Sequence, residues 1–129
     1  MLKTGILNPH INSLLSRIRH TNTIVIADRS FPFWPQIETV DISLVDDIPK
    51  VLDVFRAIQA NFVIGHVFQA EEFLQVNSAE TVRAFTEALA NVPVTREPHT
   101  AFKKRVPSAI GLIRTGDTTP YANLILESA

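Results

Sequence analysis

The side chains best suited to chemistry flank one short stretch. Between His20 and Asp28 lies Thr23 to Ala27, an apolar run rich in β-branched residues. It reads as a buried strand, so the chain puts an imidazole before that strand and a carboxylate just after it. Imidazole exchanges protons near neutral pH, and a carboxylate can orient it or hold a hydroxyl. In open α/β sheets ligands sit beside the carboxyl ends of strands, which is where Asp28 falls. His20 and Asp28 can meet only if the chain bends sharply before the strand or if a second subunit contributes. A second imidazole, His99, precedes Lys103 by four residues in what reads as a short helix begun by Pro98, so the two share a face. His10 reads as a first-turn helix residue, and His66 as a hydrogen-bonded member of an apolar run.

Several other chemistries lack their residues. The four glycines are scattered and form no phosphate loop, and there is no Gly-x-Ser-x-Gly elbow or His-Glu-x-x-His. The absence of cysteine excludes disulfides, thiolate catalysis and thiolate metal sites. With a formal net charge of −1 and no basic face, nucleic acid is not the expected partner. No apolar run approaches the ~20 residues of a membrane-spanning helix, so no membrane partner is expected. The start Met1-Leu2-Lys3-Thr4-Gly5-Ile6 lacks a signal peptide's apolar stretch, and a cytoplasmic protein is the expectation. What remains is cofactor-free acid–base chemistry from His, Asp, Tyr and Lys, a metal site assembled from distant histidines and acids, or binding without chemistry.

These side chains need a scaffold, and 129 residues at 46% hydrophobic composition suffice for one compact domain over 1–129. Asn8 and Pro9 open a first helix, with Ile11, Leu14, Leu15 and Ile18 on one face and Arg17 and Arg19 in its last turn. After Asp28, a loop with two prolines carries Phe31, Phe33 and Trp34, rings that can wall a pocket, cover a subunit contact or tuck onto the core. Residues 37–42 alternate as a half-buried strand. Asp46-Asp47-Ile48-Pro49 reads as a helix start, with Leu52, Phe55 and Ile58 on the buried side. Residues 61–68 form a second apolar strand, after which Glu71 and Glu72 read as solvated. Asn77 and Glu80 have capping-box spacing ahead of a helix that buries Val82, Phe85 and Leu89. Strands are expected at 92–95, at an edge, and at 109–113 and 121–126, with a turn at Gly116-Asp117-Thr118-Thr119-Pro120. Strands interleaved with helices predict a three-layer α/β/α domain with a mostly parallel or mixed sheet.

Several blocks in order resemble the D-ribose pyranase / L-fucose mutarotase family. They are Gly5-Ile6-Leu7-Asn8 before a helix, His20-Thr21 with Ala27-Asp28 and Pro32, and His99-x-x-Phe102-Lys103. The last runs from Ile113-Arg114-Thr115-Gly116-Asp117 to Pro120-Tyr121-Ala122-Asn123-Leu124-Ile125-Leu126. The resemblance implies cofactor-free interconversion of the cyclic forms of a free aldose, with no metal. It implies His20 as the catalytic acid and Asp28, His99, Tyr121 and Asn123 as the residues that hold the sugar, with Lys103 near the pocket. His99 is similar to the ribose-type branch, whereas fucose-type members tend to have Arg there. The resemblance further implies a ring-shaped homo-oligomer, a decamer, whose sites lie at subunit contacts. In that arrangement the tyrosine–asparagine segment reaches a neighbour's histidine and aspartate.

The chemistry of ring exchange agrees with this set. The hemiacetal must open, which requires one group to protonate the ring oxygen and another to take the anomeric hydroxyl proton. The chain departs from the family pattern at Arg19, where glycine is usual, at Arg29-Ser30-Phe31 and Phe33-Trp34, which are bulkier than usual, and at Pro98 before His99. It also stops at Ala129, where relatives generally continue with a short apolar tail. The alternatives are an L-fucose-type mutarotase, a non-catalytic sugar-binding or transport-accessory protein, and a structural oligomer with a closed pocket.

Overall fold

The computed structural model describes residues 1–3 and 5–129. Among the described residues five helices and six strands follow in the order α1 Pro9–Arg17, β1 Thr23–Ala27, β2 Glu38–Asp41, α2 Val51–Gln59, β3 Ile64–Ala70, α3 Glu72–Val76, α4 Ala79–Ala88, β4 Val94–Glu97, α5 His99–Arg105, β5 Gly111–Arg114 and β6 Leu124–Ser128. A 3-10 turn at Val106–Ser108 extends α5.

The strands form one sheet in the order β2-β5-β1-β6-β3-β4. β1 and β2 pair with β5 in parallel, as β3 does with β4, whereas β6 runs antiparallel to both β1 and β3. The sheet is therefore mixed by virtue of one strand. Its alternation divides two cores. Ile24 and Ile26 face one side with Ile113, Leu124, Leu126 and Val67, under Leu14 of α1, Phe55 of α2 and Phe85 of α4. Val25, Ala27, Leu112 and Ile125 face the other side, under Phe31, Phe102, Val106 and Ala109. This is the expected three-layer α/β/α arrangement. Gly111 lets α1 lie close over β5: a Cβ there would come within 2.6 Å of Leu14 Cδ2, and the buried Leu14 side chain would have to shift.

Local chemistry explains most boundaries. Asn8 caps α1 by accepting the amides of His10 and Ile11 at 2.9 and 3.1 Å. Arg19 falls beyond the helix, not in its last turn, yet its guanidinium donates to the carbonyls of Ser16 and Ile18 at 2.7 and 3.0 Å. Positive charge thus still meets the negative end of the dipole. Asp46 and Asp47 do not start α2. Asp46 pairs with Arg29 at 2.7 Å, Asp47 accepts from Thr118, and the helix begins at Val51 with Asp53 accepting the Lys50 amide at 2.8 Å. The α4 cap is Ser78, which accepts the Thr81 amide, and not Asn77. Asn77 instead donates to the carbonyls of Phe73 and Pro120, both at 2.9 Å, fastening α3 to the turn before β6. β3, β4, β5 and β6 each begin two or three residues later than their sequence patterns suggest. No helix among the described residues is long and apolar enough to cross a membrane.

Candidate functional site

A cavity of about 280 Å³ opens at the carboxyl edge of β1 and β5, beside the start of β6. Three segments build its walls. The loop after β1 supplies Asp28, Ser30, Phe31 and Pro32. The turn between β5 and β6 supplies Asp117 to Tyr121 and Asn123. The start of α5 supplies His99. Because β6 returns antiparallel beside β1, its first residues stand next to the last residue of β1, and this adjacency brings Asn123 to Asp28.

The loops are stitched to each other by backbone and side-chain bonds. The Thr115 hydroxyl and amide donate to the Ala27 carbonyl at 2.8 and 2.9 Å, and the Arg29 amide donates to the Asp117 carbonyl at 3.0 Å. The Arg114 guanidinium reaches the carbonyls of Asp28 and Pro32, both at 3.3 Å. Asp117 is 2% exposed, and its two oxygens accept the amides of Val51 at 2.9 Å and Thr119 at 2.8 Å. It therefore ties the start of α2 to the pocket rim. Asp47 grips the same rim, accepting both the amide and the hydroxyl of Thr118, and these bonds hold its carboxyl below the ordinary carboxylate value. A Cβ on Gly116 would collide with the carbonyl oxygen of Val45, so glycine lets the bridged turn of Val45 and Ile48 pack against the rim.

Asp28 is buried at 7% exposure. Burial pushes its carboxyl above the ordinary 3.8, opposed by the amides of Ser30 and Phe31 and by the Asn123 side chain, while the neighbouring Asp117 charge pushes it further up. Asn123, 3% exposed, accepts the Asp28 amide through Oδ1 at 2.7 Å, which turns its NH₂ toward the carboxylate. His99 stands in an aromatic enclosure. Its ring stacks on Phe102 at 5.9 Å and meets Tyr121 edge-on at 5.0 Å and Phe31 edge-on at 6.2 Å. Burial pushes its imidazole below the ordinary 6.5, and the Lys103 charge acts in the same direction, while Glu72 and Asp28 oppose. Tyr121 adopts φ +55, a left-handed conformation that costs a non-glycine residue roughly 1–2 kcal/mol. It lies in the turn that leads into β6, and the strand expected from residue 121 starts only at Leu124.

Of the six residues singled out from the sequence, four converge: Asp28, His99, Tyr121 and Asn123. Lys103 shares a face with His99 as its spacing predicted, but it lines a separate surface depression with Trp34, Thr100, Lys104 and Pro107. His20 is exposed on the turn before β1, at the opposite end of the strand from Asp28. Five strand residues at about 3.3 Å each separate the two ends, and His20 is not among the residues that line the cavity. Within the one chain Asp28 stands beside Asn123, which accepts its amide. The aromatic loop also divides. Phe31 is buried in the wall, whereas Phe33 is 70% exposed. Asp117 was legible as a turn residue and as the end of one block of the family resemblance, with no role attached. Its signal was position, at the exit of a strand that pairs with β1. Elsewhere, His66 accepts or donates a 2.7 Å bond with the Thr95 hydroxyl, a structural role. Among the described residues, no three His, Asp or Glu side chains gather in metal-binding geometry.

The fold and the cavity together define a class: small α/β proteins with an aromatic-walled pocket, carrying buried polar side chains, at the carboxyl edge of a mixed sheet. Within that class the chain belongs to the RbsD / FucU transport protein family, whose model matches residues 1–129. It is 42% identical to D-ribose pyranase of Geobacillus kaustophilus over 130 residues, covering 99% of this chain and 93% of that one. It is 41% identical to D-ribose pyranase of Bacillus licheniformis, covering 99% and 97%. Bacillus subtilis RbsD complexed with D-ribose superposes with a TM-score of 0.91 at 31% identity, covering 100% of this chain and 98% of that chain. The fucose mutarotase of Streptococcus pneumoniae, solved with L-fucose, shares the fold at a TM-score of 0.73 and 20% identity, covering 99% and 98%.

Proposed function

We propose that this chain, acting as one domain over 1–129, is a cofactor-free sugar isomerase that interconverts the ring forms of a free aldose of the D-ribose type. The observation that carries the reading is the convergence of Asp28, His99, Tyr121 and Asn123 on one cavity in a chain 42% identical to a D-ribose pyranase. Carboxylate, imidazole, phenol and amide supply both donors and acceptors, as a polyol requires. The aromatic faces of Phe31 and Tyr121 suit the C–H faces of a sugar ring.

In the reaction a proton reaches the ring oxygen as the anomeric hydroxyl loses its own. The bond from C1 to the ring oxygen breaks with its electron pair going to oxygen, and a C1 carbonyl forms. Rotation of the aldehyde, or attack by another hydroxyl, followed by the reverse proton transfers closes the new ring. His20 is the proton shuttle in this proposal. Since its turn lies at the far end of β1 from the chain's own cavity, a second subunit delivers it. Asp28, His99, Tyr121 and Asn123 hold the hydroxyls, and Lys103 acts from outside the cavity as a neighbouring charge. The assembly that follows is a ring-shaped homo-oligomer, ten subunits by family resemblance, in the cytoplasm.

A second reading has its own observation. His99 is an imidazole already in the cavity with its basicity lowered by burial, so it can pair with Asp28 within one chain and leave His20 without a part in the chemistry. Saturation-transfer NMR on D-ribose, other pentoses and 6-deoxyhexoses tests both readings. Faster exchange of D-ribose that disappears in His20→Ala supports the first. Exchange that survives His20→Ala and disappears in His99→Ala supports the second. No acceleration across the panel overturns both and leaves a binding protein.

A further inference from the structure

Glu72 is a charged residue the reaction above does not use. It opens α3 just after β3, while His99 opens α5 just after the parallel neighbour β4. The two strands end in register at Ala70 and Glu97, and the Glu71 amide donates to the Glu97 carbonyl at 2.8 Å. The two helix starts are thereby held side by side. Both carboxylate oxygens of Glu72 lie 3.0 Å from the backbone N–H of His99. Pro98, which precedes it, offers no side-chain cap, so this amide would otherwise lack a partner.

Around the ring itself no polar restraint is found at His99 Nδ1 among the described residues: the atom is buried without a hydrogen-bond partner. The imidazole is flanked by the rings of Phe31, Phe102 and Tyr121. We infer that Glu72 is a positioning residue of this site: it acts on the reaction from outside the cavity, by anchoring the amide of His99 and setting the charge environment of its ring. The inference rests on the isomerase reading.

The charged and titratable groups that face His99 are few. Lys103 lies on the same helix, Asp28 on the loop after β1, Tyr121 on the turn before β6 and Glu72 on α3. Burial and Lys103 both disfavour the imidazolium, and Glu72 is the leading group that favours it. The same carboxylate therefore fixes where the ring stands and keeps its proton affinity from falling further.

The test uses the full-length protein carrying Glu72→Gln or Glu72→Ala, with Glu71→Gln, an exposed neighbour, as control. D-Ribose exchange is resolved into kcat and KM, and the His99 ring protons are titrated by NMR without sugar. In Glu72→Gln an oxygen remains for the amide but the charge is gone. The His99 titration should move to lower pH and the pH profile of exchange should move with it. In Glu72→Ala the anchor is lost and kcat should fall about ten- to a hundredfold, as displacement of a site group does. Glu71→Gln should change neither. An unchanged His99 titration in Glu72→Gln overturns the inference, as does wild-type kcat in a folded Glu72→Ala. If Glu72→Ala does not fold, the titration of Glu72→Gln decides. If wild-type protein exchanges no sugar, the isomerase reading falls, and the titration still judges whether Glu72 governs His99.

Discussion

Asn123 Oδ1 accepts the backbone amide of Asp28 at 2.7 Å, a buried bond between residues 95 positions apart. It joins the end of β1 to the start of β6 and places the carboxamide across the Asp28 carboxylate. Asn123→Ala leaves the Asp28 amide buried without an acceptor, which costs about 1–3 kcal/mol. Denaturant unfolding should show that loss, and sugar exchange should fall in the protein that remains folded. Unchanged stability would mean that the bond has a ready substitute.

His99 makes stability depend on pH with a definite sign. Its folded-state value lies below the ordinary 6.5 because burial disfavours the imidazolium. Between the two values the unfolded chain binds more protons, so stability is complete above 6.5 and is lost as pH falls toward the folded value. Asp28 acts oppositely. Its value is raised above 3.8 by burial, so the folded chain binds the extra proton, and stability is lost as pH rises from 3.8 through the raised value. Urea unfolding across this range should show a downward slope below pH 6.5 that flattens in His99→Phe. Asp28→Asn should remove the opposing slope that starts at 3.8.

The cavity should discriminate against phosphorylated sugars. Two buried carboxylates, Asp28 and Asp117, line it, and none of its described lining residues is Lys or Arg. A phosphate carrying about two negative charges would meet repulsion with no cation to offset it. Ribose 5-phosphate at concentrations that saturate with D-ribose should neither exchange faster nor compete. Competition at equal concentration would require a cation from elsewhere to enter the site.

Much of the frame was legible locally. The Asn8-Pro9 cap and the three–four spacing of Ile11, Leu14 and Ile18 specify α1 with no help from the rest of the chain. The β-branched run at 23–27 gave β1 its bounds. The errors fall where a local cue is claimed by a distant partner. Asp46 and Asp47 resemble a helix start, but Arg29 and Thr118 take their charge. Asn77 resembles a cap, but Pro120 takes its amide. Tyr121 continues an apolar pattern, yet its left-handed backbone ends the strand short of it. The site was legible as residue types and not as a place. Asp28 meets Asn123 because β6 inserts antiparallel beside β1, and strand order is not written in any one segment. Asp117, whose oxygens hold both α2 and the rim, stands in a turn and a family block, neither of which shows what it ties together.

The separation of His20 from Asp28 leads to the sharpest prediction. If each site takes His20 from one subunit and Asp28 from another, His20→Ala and Asp28→Asn damage different contributors to the same site. Each homo-oligomer alone should be inactive. When the two are unfolded together and refolded as a mixture, some sites receive an intact imidazole from an Asp28→Asn chain and an intact carboxylate from a His20→Ala chain. With equal amounts and random assembly, about a quarter of sites are whole. Exchange should then return to roughly that fraction of wild type, and the doubly mutated chain mixed with itself should give none. If all the required groups lay on one chain, no mixture could rebuild a site, and activity would stay at the level of the separate variants. The recovered fraction therefore measures whether the imidazole crosses between subunits, with no need to know the number of chains in the ring.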